Sequence, residues 1–157
     1  MPGPLPFEAE TFDLIGLFDV LEHVEDHQAS LAALRTKLAP KGRVLMTVPA
    51  FPWLWSAHDE RHHHYRRYTR ASLKGVANDA GLRVERSFYF NSALFPVAVA
   101  GRAIKSVLRS DAVDDALPAP MINSALRGVF AAERHLVGRL ALPFGLSLCA
   151  VLSADDD

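Results

Sequence analysis

Two apolar runs, Phe12 to Phe18 and Val44 to Val48, show little alternation. Such runs suit strands covered on both faces in a parallel sheet. Between them Leu31, Leu34 and Leu38 recur at i, i+3 and i+7, which predicts a helix from Gln28 to Leu38. Glu25 and Asp26 stand at its start, where carboxylates suit the positive end of the helix dipole. Pro40 and Gly42 end it and lead into the second strand. A strand-helix-strand unit of this length makes a right-handed crossover. Its polar turn, Asp19 to Asp26, then lies at the carboxyl edge of the sheet, where ligands bind in open α/β folds.

Further on, Ala50 to Tyr68 has neither helical nor strand period and reads as a long loop. Loops of that length are often lids or binding loops. Thr69 is a good N-cap for a helix with an apolar stripe of Leu73, Val76, Ala77 and Ala80, ended by Gly81. Leu82 to Phe90 reads as a strand with Leu82, Val84, Phe88 and Phe90 on one face. Two apolar helices follow, Ala93 to Leu108 and Pro120 to Leu140, joined by a polar linker. Leu146 to Leu152 is the last strand, and Ser153 to Asp157 an acidic tail.

Composition narrows the class. The chain of 157 residues is 50% hydrophobic and 22% charged, enough for one domain with a modest core. Its formal net charge of −1 gives no global pull toward nucleic acid. The single Cys149 excludes an internal disulfide framework and points to a reducing, cytoplasmic setting. The start reads as no signal peptide, and no apolar run reaches the ~20 residues that span a bilayer.

Several blocks in order carry a resemblance. Leu5-Pro-Phe, Phe12-Asp-Leu-Ile, Asp19-Val-Leu-Glu-His-Val-Glu-Asp26 and Leu38-Ala-Pro-Lys-Gly-Arg-Val-Leu-Met-Thr-Val-Pro49 resemble the fourth strand, fourth helix and fifth strand of class I S-adenosylmethionine-dependent methyltransferases. The nearest group is the small-molecule type that includes ubiquinone and menaquinone methyltransferases. His64-Tyr-Arg-Arg-Tyr-Thr69 and Ala80-Gly-Leu-Arg-Val-Glu85 are similar to its next block, and Pro143 to Leu148 to its final strand. The resemblance implies an α/β, Rossmann-like methyltransferase fold, incomplete, with a mixed sheet in order 4-5-7-6 and the last strand antiparallel. It implies one partial domain over 1–157 with a helical insertion at about 91–142. The family's Gly-rich cofactor turn and its ribose-binding acid do not occur in this sequence. The chain therefore looks like the carboxyl-terminal portion of a methyltransferase, with Phe12 to Phe18 as an exposed edge.

The resemblance implies S-adenosylmethionine as cofactor, with Phe18, Asp19, Leu21, Glu22 and His23 near it. His23 and His64 are the catalytic candidates, since an imidazole of pKa near 6.5 suits proton transfer at neutrality. The plainer reading is that Glu22 and His23 only hold the turn. Trp53, Trp55, Tyr65, Arg66 and Arg67 are the acceptor-binding candidates; the arginine forks suit an anionic group and the rings a pocket wall. Against that, the run from His58 to Arg70 reads as a solvated loop with Tyr65 and Tyr68 packed beneath. Some relatives bind a divalent ion through an acid-x-x-Glu-His group and a later histidine. Asp19, Glu22, His23 and one of His62 to His64 offer that pattern, yet such groups are more often hydrogen-bonded to one another, and no metal is expected.

The expected activity is methylation of a small or lipid-like acceptor, without nucleic acid. Arg102, Lys105, Arg127, Arg134 and Arg139 on the two apolar helices suit a lipid-like acceptor or peripheral membrane contact; the plainer and favoured reading is a helical pair packed on the sheet. The alternative is a non-catalytic or regulatory half that pairs with a second copy or a partner subunit through Phe12 to Phe18.

Overall fold

The computed structural model describes residues 11–108, 120–133, 135 and 142–154. The expected linker, residues 155–157 of the expected acidic tail, Arg134 and Arg139 lie outside them, as do the side chains of Arg102 and Lys105; Ser153 and Ala154, expected in the tail, belong to the last strand.

Four strands form one sheet: β1 (Phe12–Phe18), β2 (Leu38–Pro49), β3 (Leu82–Phe90) and β4 (Ser147–Ala154), in spatial order β1-β2-β4-β3. β1 runs parallel to β2, and β4 runs antiparallel to both β2 and β3. This is the expected 4-5-7-6 order with an antiparallel last strand. Between β1 and β2 lies α1 (His27–Arg35); between β2 and β3 lie the short α2 (Ala57–Arg61) and α3 (Arg70–Asp79). Between β3 and β4 come α4 (Phe95–Leu108) and α5 (Pro120–Glu133).

The core forms where one face of the sheet meets α1 and α3. Val44, Met46 and Val48 alternate inward from β2 and are fully buried with Leu31, Leu73, Ala77, Leu148 and Leu152. Burial of each such side chain contributes roughly 1.5–3 kcal/mol. Cover on both faces, expected from the apolar runs, is met on one face only: among the described residues Leu45 and Thr47 are half-buried and β1 is largely exposed.

Three local details differ from the sequence expectation. The first helix ends at Arg35, and Leu38 is already strand, paired with Phe12. In β3 the register shifts between Val84 and Arg86, so Tyr89 turns into the core in place of Phe88 and Phe90. The bulge inserts one residue, which reverses the parity of everything after it. The stretch from Ala50 to Tyr68 is short-range structure, not open loop. It holds a 3-10 turn at Pro52–Leu54 and α2, and Ala50 bridges Tyr68 in parallel. The expected cap at Thr69 forms a capping box with Ser72, and Asp26, expected only as a charge at the helix start, is itself an N-cap whose carboxylate accepts from the Ala29 N–H at 3.0 Å.

Candidate functional site

The site lies at the carboxyl ends of β1 and β2. Past Phe18 the chain turns sharply at Asp19, whose φ of 52° is left-handed. Asp tolerates that region better than most residues. The Asp19 N–H donates to the Thr47 carbonyl at 3.1 Å, and the Thr47 hydroxyl donates to the Asp19 carboxylate at 3.1 Å. A 3-10 turn, Leu21–His23, follows. It buries Leu21 and Glu22 and leaves His23 exposed.

The Ala50–Tyr68 stretch is fastened onto this turn. The Tyr65 N–H donates to the Glu22 carbonyl at 2.8 Å. The Arg66 guanidinium donates to the carbonyls of Val24 and Glu25 at 2.8 and 2.7 Å. Tyr68 is buried, its hydroxyl 2.8 Å from His27 Nδ1. Burial pushes the Tyr68 phenol up to about 12. These ties set His64 beside His23, with ring centroids 4.7 Å apart.

Behind His64 stands Asp59, fully buried. Its carboxylate accepts from His64 Nδ1 at 2.9 Å, Arg67 Nε at 2.7 Å, the Ser56 N–H at 2.9 Å and the Ser56 hydroxyl at 3.2 Å. Burial works to raise the Asp59 pKa, but the bonds from Arg67 and His64 outweigh it and hold the carboxyl below its ordinary value. With Nδ1–H engaged by the carboxylate, the neutral His64 ring keeps its lone pair on Nε2. Arg67 also donates to the Ala50 carbonyl at 3.1 Å, so its charge is internally matched.

Glu22 is the opposite case. Only 1% of it is exposed, and its Oε2 has no hydrogen-bond partner. Burial, with a smaller contribution from the Asp19 charge, pushes its carboxyl up to about 7.

The resulting cleft has a volume of about 460 Å³. Asp19, Glu22 and His23 line it from the first turn, and His58, His62, His64 and Arg67 from the Ala50–Tyr68 stretch. Pro49, Asn91, Leu146 and Ser147 complete it. Of the residues singled out in the sequence, the cleft brings together Asp19, Glu22, His23, His62, His64 and Arg67. Phe18 stands exposed at the end of β1, and Leu21 packs into the core. Arg66 is engaged by backbone carbonyls. Tyr65 is exposed and does not pack beneath the loop. Trp55 Nε1 donates to Glu60 at 3.4 Å. Trp53 joins an aromatic group with Phe51 and Phe95, at centroid distances of 5.8 and 5.9 Å, and is itself 61% exposed.

The sequence reading missed Asp59, His58 and Asn91. Asp59 had a signal: Ser56-x-x-Asp59 is a capping-box pattern, and both halves of the box form.

For the divalent ion that some relatives carry, the fit is good. Glu22, His23 and His64 each offer a ligand atom, and these atoms all lie within 4.8 Å of one another. The orphaned Glu22 oxygen supplies a donor that nothing else uses.

Comparison with known proteins agrees with this architecture. A methyltransferase-domain family matches residues 5–87, just over half of the chain. The chain belongs to that methyltransferase family. None of the curated proteins matches it. Among solved structures it is similar to the Haloferax volcanii putative methyltransferase solved with the Trm112 methyltransferase activator. Identity is 20%, the TM-score is 0.53, and the match covers 98% of this chain and 58% of that one. A putative sarcosine dimethylglycine methyltransferase from Galdieria sulphuraria matches at 16% identity and TM-score 0.54, over 96% of this chain and 56% of that one. Phosphoethanolamine N-methyltransferase 2 from Haemonchus contortus matches at 12% identity and TM-score 0.51, over 92% and 34%. The chain thus spans little more than half the length of the first two. Among the described residues no helix is long and apolar enough to cross a membrane.

Proposed function

We propose that the chain forms the acceptor-side part of an S-adenosylmethionine-dependent methyltransferase acting on a small or lipid-like molecule. One observation carries the reading: Asp19, Glu22, His23 and His64 converge on a cleft at the carboxyl ends of two parallel strands. That edge is where α/β folds of this kind place ligands.

S-adenosylmethionine would supply an electrophilic methyl group. Phe18 and Asp19, exposed at the end of β1, would meet it, with Leu21, Glu22 and His23 as the floor of the turn. Methyl transfer is a displacement, so the protein's task is alignment, exclusion of water and removal of a proton from the acceptor. His64 suits the last role, because Asp59 holds its ring with Nε2 free, and His23 stands beside it. Arg67 acts through Asp59 rather than on the acceptor. The aromatic group at Phe51, Trp53 and Phe95 would wall an apolar acceptor, and the buried Cys149 suits a reducing, cytoplasmic setting.

A second reading concerns β1. Leu14 and Phe18 are 62% and 60% exposed on a sheet-edge strand, which favours pairing with another chain, a second copy or a partner subunit. The Haloferax neighbour was solved with an activator protein, which makes a partner subunit one of the occupants to test. Calorimetry with S-adenosylmethionine on the purified chain separates the two. Saturable one-site binding, with methyl transfer to an acceptor, supports an enzyme in this polypeptide. No binding by the chain alone, and binding once a partner is supplied, supports the pairing reading.

A further inference from the structure

We propose that a second cleft, at the opposite edge of the sheet, binds a phosphate group through Arg83, Lys41 and the Ser153 hydroxyl. The strand register sets its floor. Arg43 on β2 stands opposite Ser153 on β4, and Ser153 stands opposite Arg83 on β3. Residues directly opposite in neighbouring strands share a face. Here it is the face turned away from the core row of Val44, Leu152 and Val84. Two strand spacings set Arg43 and Arg83 about 10 Å apart across Ser153. The cleft over this row has a volume of about 360 Å³ and shares no lining residue with the cleft of His23 and His64.

Two observations point to an anion. Ser153 is only 6% exposed, and its Oγ has no hydrogen-bond partner, which is costly unless something completes it. Three cations, Lys41, Arg43 and Arg83, line the cleft against one carboxylate, Glu85, which leaves a surplus of two positive charges. Arg43 is spent on Glu85. Its Nε donates to that carboxylate at 2.7 Å, and its guanidinium also donates to the carbonyls of Lys41 and Gly42. Lys41 and Arg83 are exposed, and among the described residues neither forms an ion pair. The surplus charge selects an anion over a water molecule. A guanidinium fork, an ammonium and a hydroxyl together suit the several oxygens of a phosphate better than the two of a carboxylate.

The chain carries a rival anion of its own: Asp155, Asp156 and Asp157 follow the cleft residue Ala154 in sequence. The full chain, and a variant with all three changed to Asn, are therefore both titrated with inorganic phosphate by calorimetry at fixed ionic strength. The expected result is saturable binding of one phosphate per chain, tighter in the Asn variant. Arg83→Gln and Lys41→Gln should each weaken it at least about 5-fold, and Ser153→Ala at least about 3-fold. Lys41 and Arg83 are exposed, so their variants keep the fold. Ser153→Ala removes an unsatisfied hydroxyl, so its unfolding midpoint should not fall. Lys74→Gln, which removes an exposed charge outside the cleft, should leave the affinity unchanged. Sedimentation with phosphatidylcholine vesicles, with and without phosphatidic acid, separates the sources of the phosphate. Arg83-dependent binding to the phosphatidic acid vesicles supports the site with a lipid headgroup in it, and binding of inorganic phosphate alone supports it with a soluble ligand. No saturable phosphate binding by either protein, or equal weakening by Lys74→Gln and Arg83→Gln, overturns the proposal. The methyl-transfer reading stands in either case, because no residue of its cleft enters the assay.

Discussion

The Asp59–Arg67 pair gives a sharp energetic test. Both side chains are almost wholly inside the protein, at 0% and 6% exposure, and their bond is 2.7 Å. Removing one partner of a buried pair leaves an uncompensated charge, at a cost of about 3–5 kcal/mol. Asp59→Ala strands the Arg67 guanidinium, which keeps only the Ala50 carbonyl, and also removes the acceptor for Ser56 and His64. The single variant should therefore cost about 4 kcal/mol. Arg67→Met leaves Asp59 with its Ser56 and His64 donors and should cost about 3 kcal/mol. In the double variant no charge is stranded. Its cost should be about 4 kcal/mol, well short of the sum of the singles, which implies a coupling of about 2–3 kcal/mol.

Urea unfolding at pH 7 with linear extrapolation measures all four proteins. A small domain holds only about 5–15 kcal/mol in total, so the singles will show a large fall in midpoint. If the effects of the two single substitutions add to within about 0.5 kcal/mol, the pair is not coupled, and the account of Asp59 as the hub behind His64 fails.

Three further outcomes follow from other parts of the structure. Gly145 packs against the Phe90 carbonyl so closely that a Cβ would overlap it; Gly145→Ala should cost about 3 kcal/mol or more, read from the urea midpoint. His27 is held below its ordinary value of 6.5, first by burial and then by the Arg66 charge, so the unfolded chain takes up its proton more readily than the folded one. Stability from this source is present above pH 6.5 and is lost as pH falls below it, and His27→Gln should flatten the unfolding midpoint over that range. Phe18→Asp, on the exposed edge strand, should reduce concentration-dependent association in sedimentation; a wild-type chain already monomeric throughout would contradict the pairing reading.

The β1–α1–β2 unit was legible because each of its elements has a regular period and ends on an unambiguous residue. Leu38 misled because its spacing from Leu31 fits a helix as well as a strand start; its pairing with Phe12 decides the matter, and that is a tertiary fact. In β3 the alternation pointed to Phe88 and Phe90, but a bulge near Glu85 reversed it and sent Tyr89 inward. Nothing in the local sequence marks that bulge. Asp19, Glu22 and His23 were found through their place after a strand. What each does was not readable, since Glu22 is buried and orphaned while His23 beside it in sequence is exposed.

The Ala50–Tyr68 stretch shows why a segment without a period can still build a site. Its order comes from a few long-range fastenings, not from repeating backbone bonds. Tyr68 plugs the core at one end, Arg66 holds the carbonyls of Val24 and Glu25, and Asp59 gathers Ser56, His64 and Arg67. Phe51 adopts a left-handed φ of 57°, rare for a bulky residue, and the stacking of its ring on Tyr89 at 4.9 Å helps to hold it there. Apart from the Tyr68 plug the fastenings are polar or strained, and a single aromatic makes no hydrophobic periodicity in the sequence. Together they deliver His64 to within 4.8 Å of the Glu22 carboxylate and His23, on the turn after β1. The cleft is thus made by the meeting of a periodic unit and an aperiodic one, and its chemistry belongs to neither alone.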